Sequence, residues 1–124
     1  MNSMKKLFLI LLLVLTFASK VQAVTYEQAS AQGKTMVLYL YMTTCSACKE
    51  FESTYNSVAS KYLNKFNFVK ENISYSQIAS TLRPSGVPAV YILEPSTRTA
   101  QKITYECITN QACFEETLNK YSQK

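Results

Sequence analysis

Apolar residues are spread unevenly along this 124-residue chain. An uninterrupted apolar run from Leu7 to Leu15, extended by Thr16, Phe17 and Ala18, sits behind Lys5 and Lys6. A second run, Met36 to Met42, is continuous and rich in β-prone side chains, the pattern of a strand buried on both faces. Just before it, Thr25 to Gln32 predicts a short helix closed by Gly33. Beyond it, Phe51, Tyr55, Val58 and Tyr62 recur at i, i+4, i+7 and i+11, with Lys49, Glu52, Ser53, Asn56 and Ser60 on other faces. That spacing predicts an amphipathic helix from about Cys45 to Leu63. Phe66, Phe68 and Lys70 then alternate with Asn67, Val69 and Glu71, a strand of roughly six residues. Ser74 serves as N-cap for a helix to Leu82 that carries Ile78 and Leu82 on one face, and Arg83-Pro84-Ser85-Gly86-Val87-Pro88 breaks it. Ala89 to Leu93 is a third apolar strand; after a turn over Glu94 to Thr99, Lys102 to Tyr105 pairs back as an antiparallel edge. The last helix runs from about Ala112 to Tyr121, with Phe114 and Leu118 four apart. The order α-β-α-β-α-β-β-α predicts an α/β domain, a central mixed sheet of about four strands flanked by helices.

The first 23 residues stand apart from this pattern. A basic start, a short apolar stretch, and the small residues Val21 and Ala23 around Gln22 have the layout of a secretory signal peptide cleaved after Ala23. The apolar run is too short for a transmembrane span, which needs ~20 residues, and no cysteine near the site supports a lipid anchor. The expected organisation is a signal peptide over 1–23 and one domain over 24–124. Removal of the segment also changes the charge. The whole chain carries 13 basic and 8 acidic residues, a formal +5, and three of the lysines lie before Val24. The remaining ten against eight leave +2, an ordinary balance that gives no reason to expect nucleic-acid binding, or membrane insertion after cleavage.

Composition narrows the chemistry further. There is no His and no Asp, because all eight acids are Glu. Ser-His-Asp and Cys-His machinery, histidine metal sites and an imidazole proton shuttle are excluded. Four cysteines remain, all in the exported part, where disulfides can form. Cys45-Ser46-Ala47-Cys48 falls where the buried strand ends and the amphipathic helix begins. The reactive form of cysteine is the thiolate, and the free N–H groups of a helix's first turn favour negative charge there. Cys45 is therefore expected to be the attacking or attacked sulfur. Cys48, one turn on and facing inward, is placed to resolve a mixed disulfide. An inert structural disulfide or a metal site are the alternatives for this pair. Most of the nine tyrosines, Tyr39, Tyr41, Tyr55, Tyr62 and Tyr91 among them, fall on strands or core faces and read as core residues. Asn72-Ile73-Ser74 matches a glycosylation sequon and is read as a chance match.

With Gly86-Val87-Pro88 opening the third core strand about 40 residues after the CxxC, the chain resembles the thioredoxin superfamily over roughly Met36 to Tyr121. The resemblance implies a thioredoxin fold and a thiol–disulfide oxidoreductase. It implies further that Pro88 is cis and lies against the CxxC, and that Val87 offers its backbone to a substrate strand. Two positions depart from thioredoxin itself. Thr44 stands where an aromatic residue precedes the first cysteine, and Tyr39 stands where a buried acid helps deprotonate the resolving cysteine. Lys49 or Glu50 is a candidate to take that proton through water, although Lys49 reads equally as a solvated helix residue. The closer likeness is to exported thioredoxin-like proteins of the bacterial envelope. A periplasmic enzyme of this kind needs no organic cofactor and no metal. Its partners would be cysteine-containing envelope proteins and a membrane-bound redox protein that resets the pair. The compact chain favours a reductase over an oxidase. The rival reading is a non-catalytic interaction module with Cys45–Cys48 permanently closed.

Cys107 and Cys113 flank Ile108 to Ala112, after the last strand and in the first turn of the last helix. A structural disulfide closing so short a loop would contribute ~2–3 kcal/mol. A second redox pair and a four-thiolate zinc site are the alternatives, the latter with poor ligand spacing.

Overall fold

The computed structural model describes residues 24–123, so the expected signal peptide lies outside the described residues. Helix α1 covers Tyr26–Gln32; Thr25 and Gln28 form a reciprocal capping box at its start, and Gly33 closes it at φ 69°, where a side chain would be strained. Strand β1, Met36–Tyr41, leads to helix α2, Ser46–Tyr62. Strand β2, Asn67–Asn72, is followed by helix α3, Gln77–Leu82, and then by the hairpin of β3, Ala89–Glu94, and β4, Thr99–Ile103. Two helices end the domain: α4, Tyr105–Ile108, and α5, Gln111–Ser122. The sheet order is β2-β1-β3-β4, with β1 parallel to β2 and both β1–β3 and β3–β4 antiparallel. This is the mixed four-stranded sheet that the element order predicts.

The continuous apolar runs are explained by the layers. In β1, Val37 and Tyr39 face α2, α4 and α5, while Met36, Leu38 and Leu40 face α1 and α3. In β3, Val90 and Ile92 take the first face and Ala89, Tyr91 and Leu93 the second. A strand with helices on both sides has no polar face to show, so alternation disappears from its sequence. On the first face, Phe51, Tyr55, Val58 and Tyr62 of α2 meet Phe114 and Leu118 of α5, as their spacings predict. Tyr55 ties the layers together: its buried hydroxyl donates to the Val69 carbonyl at 3.0 Å and lies 3.4 Å from that of Val37, so one helix side chain bridges the parallel pair. Tyr62 does the same between helices, donating to Asn119 Oδ1 at 2.8 Å.

Several boundaries differ from the sequence expectation. The N-cap of α3 is Ser76, whose buried hydroxyl accepts from Ala79 N–H, rather than Ser74; Ser74 instead donates its N–H to Asn72 Oδ1 in the preceding turn. The expected cap at Ser74 is thus replaced by Ser76, which is buried at the start of the helix. In β2, Phe66 lies before the strand and Phe68 is half-buried, while Val69 is buried on the opposite face, so the strand is covered on both sides. The edge strand begins at Thr99 and ends at Ile103, earlier than predicted. Tyr105 is helical, because Thr104 stops the strand and caps an unpredicted short helix by accepting from Cys107 N–H. Among the described residues no helix is long and apolar enough to cross a membrane.

Tyr55→Phe keeps the ring packing and removes only the buried hydroxyl. The expected loss is about 1–2 kcal/mol of unfolding free energy by urea titration.

Candidate active site

The site is made where β1 hands the chain to α2. Cys45 is the N-cap of α2 in an extended conformation, and its sulfur accepts the N–H of Cys48 at 3.0 Å. On a free Cys45 thiolate the same hydrogen bond would stabilise the charge. The first turn of α2 carries no acidic residue to oppose it. Cys45 and Cys48 are joined as a disulfide with a Cα–Cα distance of 5.2 Å. Cys45 is half-buried and Cys48 only 2% exposed, so an incoming thiolate reaches the first sulfur and not the second.

The second predicted element arrives with the neighbouring strand, because β3 begins at Ala89 opposite Leu40 at the end of β1. The Val87–Pro88 peptide is cis, as the resemblance implies. The Val87 carbonyl lies 3.7 Å from Cys45 Sγ, 42 residues away in sequence. Pro88 is buried and Val87 is half-exposed. Beside them opens a hollow of about 200 Å³ walled by Ser85, Gly86, Lys102, Ile103 and Tyr105. The four residues singled out for catalysis and substrate contact therefore meet in one place. A larger cavity, of about 410 Å³, lies on the opposite face between α1, α3 and the β3–β4 hairpin and touches neither cysteine pair.

Tyr39 fills the position where thioredoxin has its buried acid, and the structure explains how it fits. The ring packs edge-on against Phe51 at 5.1 Å and tilted against Tyr55 at 4.8 Å. Its hydroxyl donates to the Cys48 carbonyl at 3.1 Å. Burial pushes its pKa up to about 12, with the negative charges of Glu52 and of an ionised Tyr41 adding to the effect. At neutral pH Tyr39 is therefore a proton donor to a backbone carbonyl and no base for Cys48. Lys49 and Glu50 are both exposed. A pair missed by sequence reading lies nearby. Glu52, four residues after Cys48 on α2, forms an ion pair with Lys70 of β2, whose ammonium sits 4.7 Å from the Tyr41 ring centroid. The i+4 spacing from Cys48 is visible in sequence, but Lys70 comes to it only through the Tyr39–Lys70 register of the parallel strands.

Cys107 and Cys113 are bonded to each other across the α4–α5 corner, with a Cα–Cα distance of 5.1 Å. Cys107 lies inside α4 rather than in a loop, and Cys113 in the first turn of α5, with its N–H donated to the cap residue Asn110. Among the described residues no three Cys or Glu side chains are grouped to hold a metal ion.

The family model described as Thioredoxin matches residues 17–121. Thioredoxin-1 of Drosophila melanogaster is 32% identical over 72 residues, covering 57% of this chain and 67% of that protein. Among solved structures, the J-Trx1 fragment of ERdj5 superposes with a TM-score of 0.68 at 14% identity. It covers 78% of this chain, which spans just under half, 46%, of that fragment. The first thioredoxin domain of mouse Protein disulfide-isomerase A4 gives 0.67 at 21% identity, covering 80% of this chain and 73% of that one. At these identities the structural likeness speaks for the fold.

The raised pKa of Tyr39 has a consequence at high pH. Above pH 10 the unfolded chain ionises a tyrosine that the folded protein keeps protonated, so this contribution to stability is complete below pH 10 and is lost as pH rises towards about 12. Urea denaturation at a series of pH values should show stability falling across this window, with a shallower fall in Tyr39→Phe.

Proposed function

The chain belongs to the thioredoxin family and carries a CxxC pair at the start of α2, which makes it a thiol–disulfide oxidoreductase; from that premise we propose that it is exported and reduces the disulfides of particular envelope proteins in the periplasm. The observation that carries the substrate reading is the meeting of the half-buried Cys45 with the Val87 carbonyl, 3.7 Å from its sulfur, beside an open hollow. A substrate segment lying against Val87 in extended form would bring its own sulfur to Cys45. In the reduced enzyme the Cys45 thiolate attacks a substrate disulfide. One substrate sulfur leaves as a thiolate and takes a proton, and the other stays bonded to Cys45. Cys48 then attacks Cys45, releases the second substrate thiol and closes the pair seen here.

Resetting the pair requires an electron donor, and for an exported protein a membrane-bound dithiol protein fits that role. Export itself is supported by the basic, apolar and small-residue pattern of residues 1–23, and by four cysteines that all lie beyond it. Protein recovered from the extracytoplasmic fraction should begin at Val24 by N-terminal sequencing; a chain still beginning at Met1 there would refute cleavage.

The reaction is tested by trapping. Cys48→Ser should accumulate a mixed disulfide between Cys45 and its substrate, whereas Cys45→Ser should lower turnover of a model protein disulfide by at least about 10³-fold. A Cys45–Cys48 potential far below the glutathione poise, together with no mixed disulfide from Cys48→Ser, would leave only the non-catalytic module.

A further inference from the structure

The corner that joins the last two helices contains the second cysteine pair, and its surroundings are those of a reaction site. Both cysteines line an open hollow of about 330 Å³, together with Lys102, Ile103, Thr104 and Thr117. The two cysteines are unequal in the same sense as the catalytic pair: Cys113 is half-exposed and Cys107 is 9% exposed. Cys113 occupies the first turn of a twelve-residue helix, and no acidic residue shares that turn. The cation Lys102 borders the same space. Lys102 and Ile103 also border the hollow beside Val87 and Pro88, so the two openings adjoin along the end of β4.

The reduced state of this pair is provided for as well. Thr117 donates its hydroxyl proton to the Cys113 carbonyl at 2.9 Å, which leaves its oxygen as an acceptor 3.5 Å from Cys107 Sγ. Once the disulfide is broken, the buried Cys107 thiol therefore has a hydrogen-bond partner in place, and no buried donor is orphaned by reduction. A disulfide that serves only as a staple needs neither an open approach to one sulfur nor an acceptor for the other.

We infer that Cys107–Cys113 is a second thiol–disulfide exchange site, with Cys113 the attacked sulfur, Cys107 the leaving sulfur, and a protein dithiol as the reacting partner. The partner's thiolate attacks Cys113 Sγ; the Cys113–Cys107 bond breaks, and its electron pair leaves on Cys107, which takes up a proton. The partner's second thiol, deprotonated, then attacks its own sulfur in the mixed disulfide and releases Cys113. The net change is two electrons and two protons passed to this pair, while the partner dithiol becomes a disulfide. Only the class of partner rests on the reading proposed for Cys45; the chemistry of this corner does not depend on it.

The test uses the full protein in its oxidised form. Reduction by dithiothreitol is stopped with acid, the thiols are alkylated, and the Cys107 and Cys113 peptides are followed by mass spectrometry, separately from those of Cys45 and Cys48. Native reduction of Cys107–Cys113 within about a hundredfold of its rate in guanidinium is the expected result, and slower reduction than that overturns the inference. The Cys45→Ser/Cys48→Ser variant should keep the same rate at Cys107–Cys113, which makes failure at this corner distinguishable from failure at the CxxC. Under limiting glutathione the mixed disulfide should map to Cys113; mapping to Cys107 would overturn the assigned roles. Thr117→Val should shift the dithiol–disulfide equilibrium about fivefold towards the disulfide, an effect that loss of a mere packing contact would not direct to one redox state.

Discussion

The sulfur of Cys45 does two jobs at one point in space. It caps α2 by accepting the Cys48 N–H, and it forms the bond that the enzyme makes and breaks. Capping needs an acceptor at that position, and a thiolate is a better acceptor than a disulfide sulfur. The start of the helix therefore favours the reactive state of its own cap. Much of the remaining architecture serves to hold this junction. Strand β1, buried on both faces, delivers the chain to it, α2 leads away with its apolar stripe against the sheet, and the Val87 carbonyl closes it from the side.

Access to that junction is settled by burial more than by distance. Cys48 is one helical turn from Cys45 but points into the core cluster with Phe51 and Tyr39. Its carbonyl is held by the Tyr39 hydroxyl, so the backbone of the first turn is anchored to β1 from below. The tyrosine keeps its proton at neutral pH and supplies geometry where an acid would supply proton transfer. The charged pair nearest this region, Glu52 with Lys70, sits further along α2, with both side chains partly open to solvent. Strand β1 itself carries no carboxylate.

The same pairing of one open and one covered sulfur recurs at the α4–α5 corner, built from other materials. There the cap residue is Asn110, the covered sulfur lies beside the Thr117 hydroxyl, and the hollow lies at the end of the edge strand. The two sites border one core cluster on one face of the sheet, whereas the cavity of about 410 Å³ belongs to the other face.

Local order was legible in the sequence wherever a single physical rule acted alone. The 3.6-residue stripe of α2, the continuous apolar runs of β1 and β3, the CxxC at a strand-to-helix junction and the proline opening β3 each follow from short-range pattern, and each is found where the pattern puts it. Element ends were less legible: Ser76 caps α3 where Ser74 was expected, and Tyr105 is helical where an edge strand was expected. What only the folded chain decided were the long-range neighbours. These are the Val87 carbonyl beside a sulfur 42 residues away, Tyr39 under the first turn of α2, Lys70 opposite Glu52, and Thr117 beside Cys107. Residue type and spacing set how a segment folds on itself, because the backbone imposes its period over a few residues. Which segments then meet depends on strand order and register, which no short stretch of sequence contains.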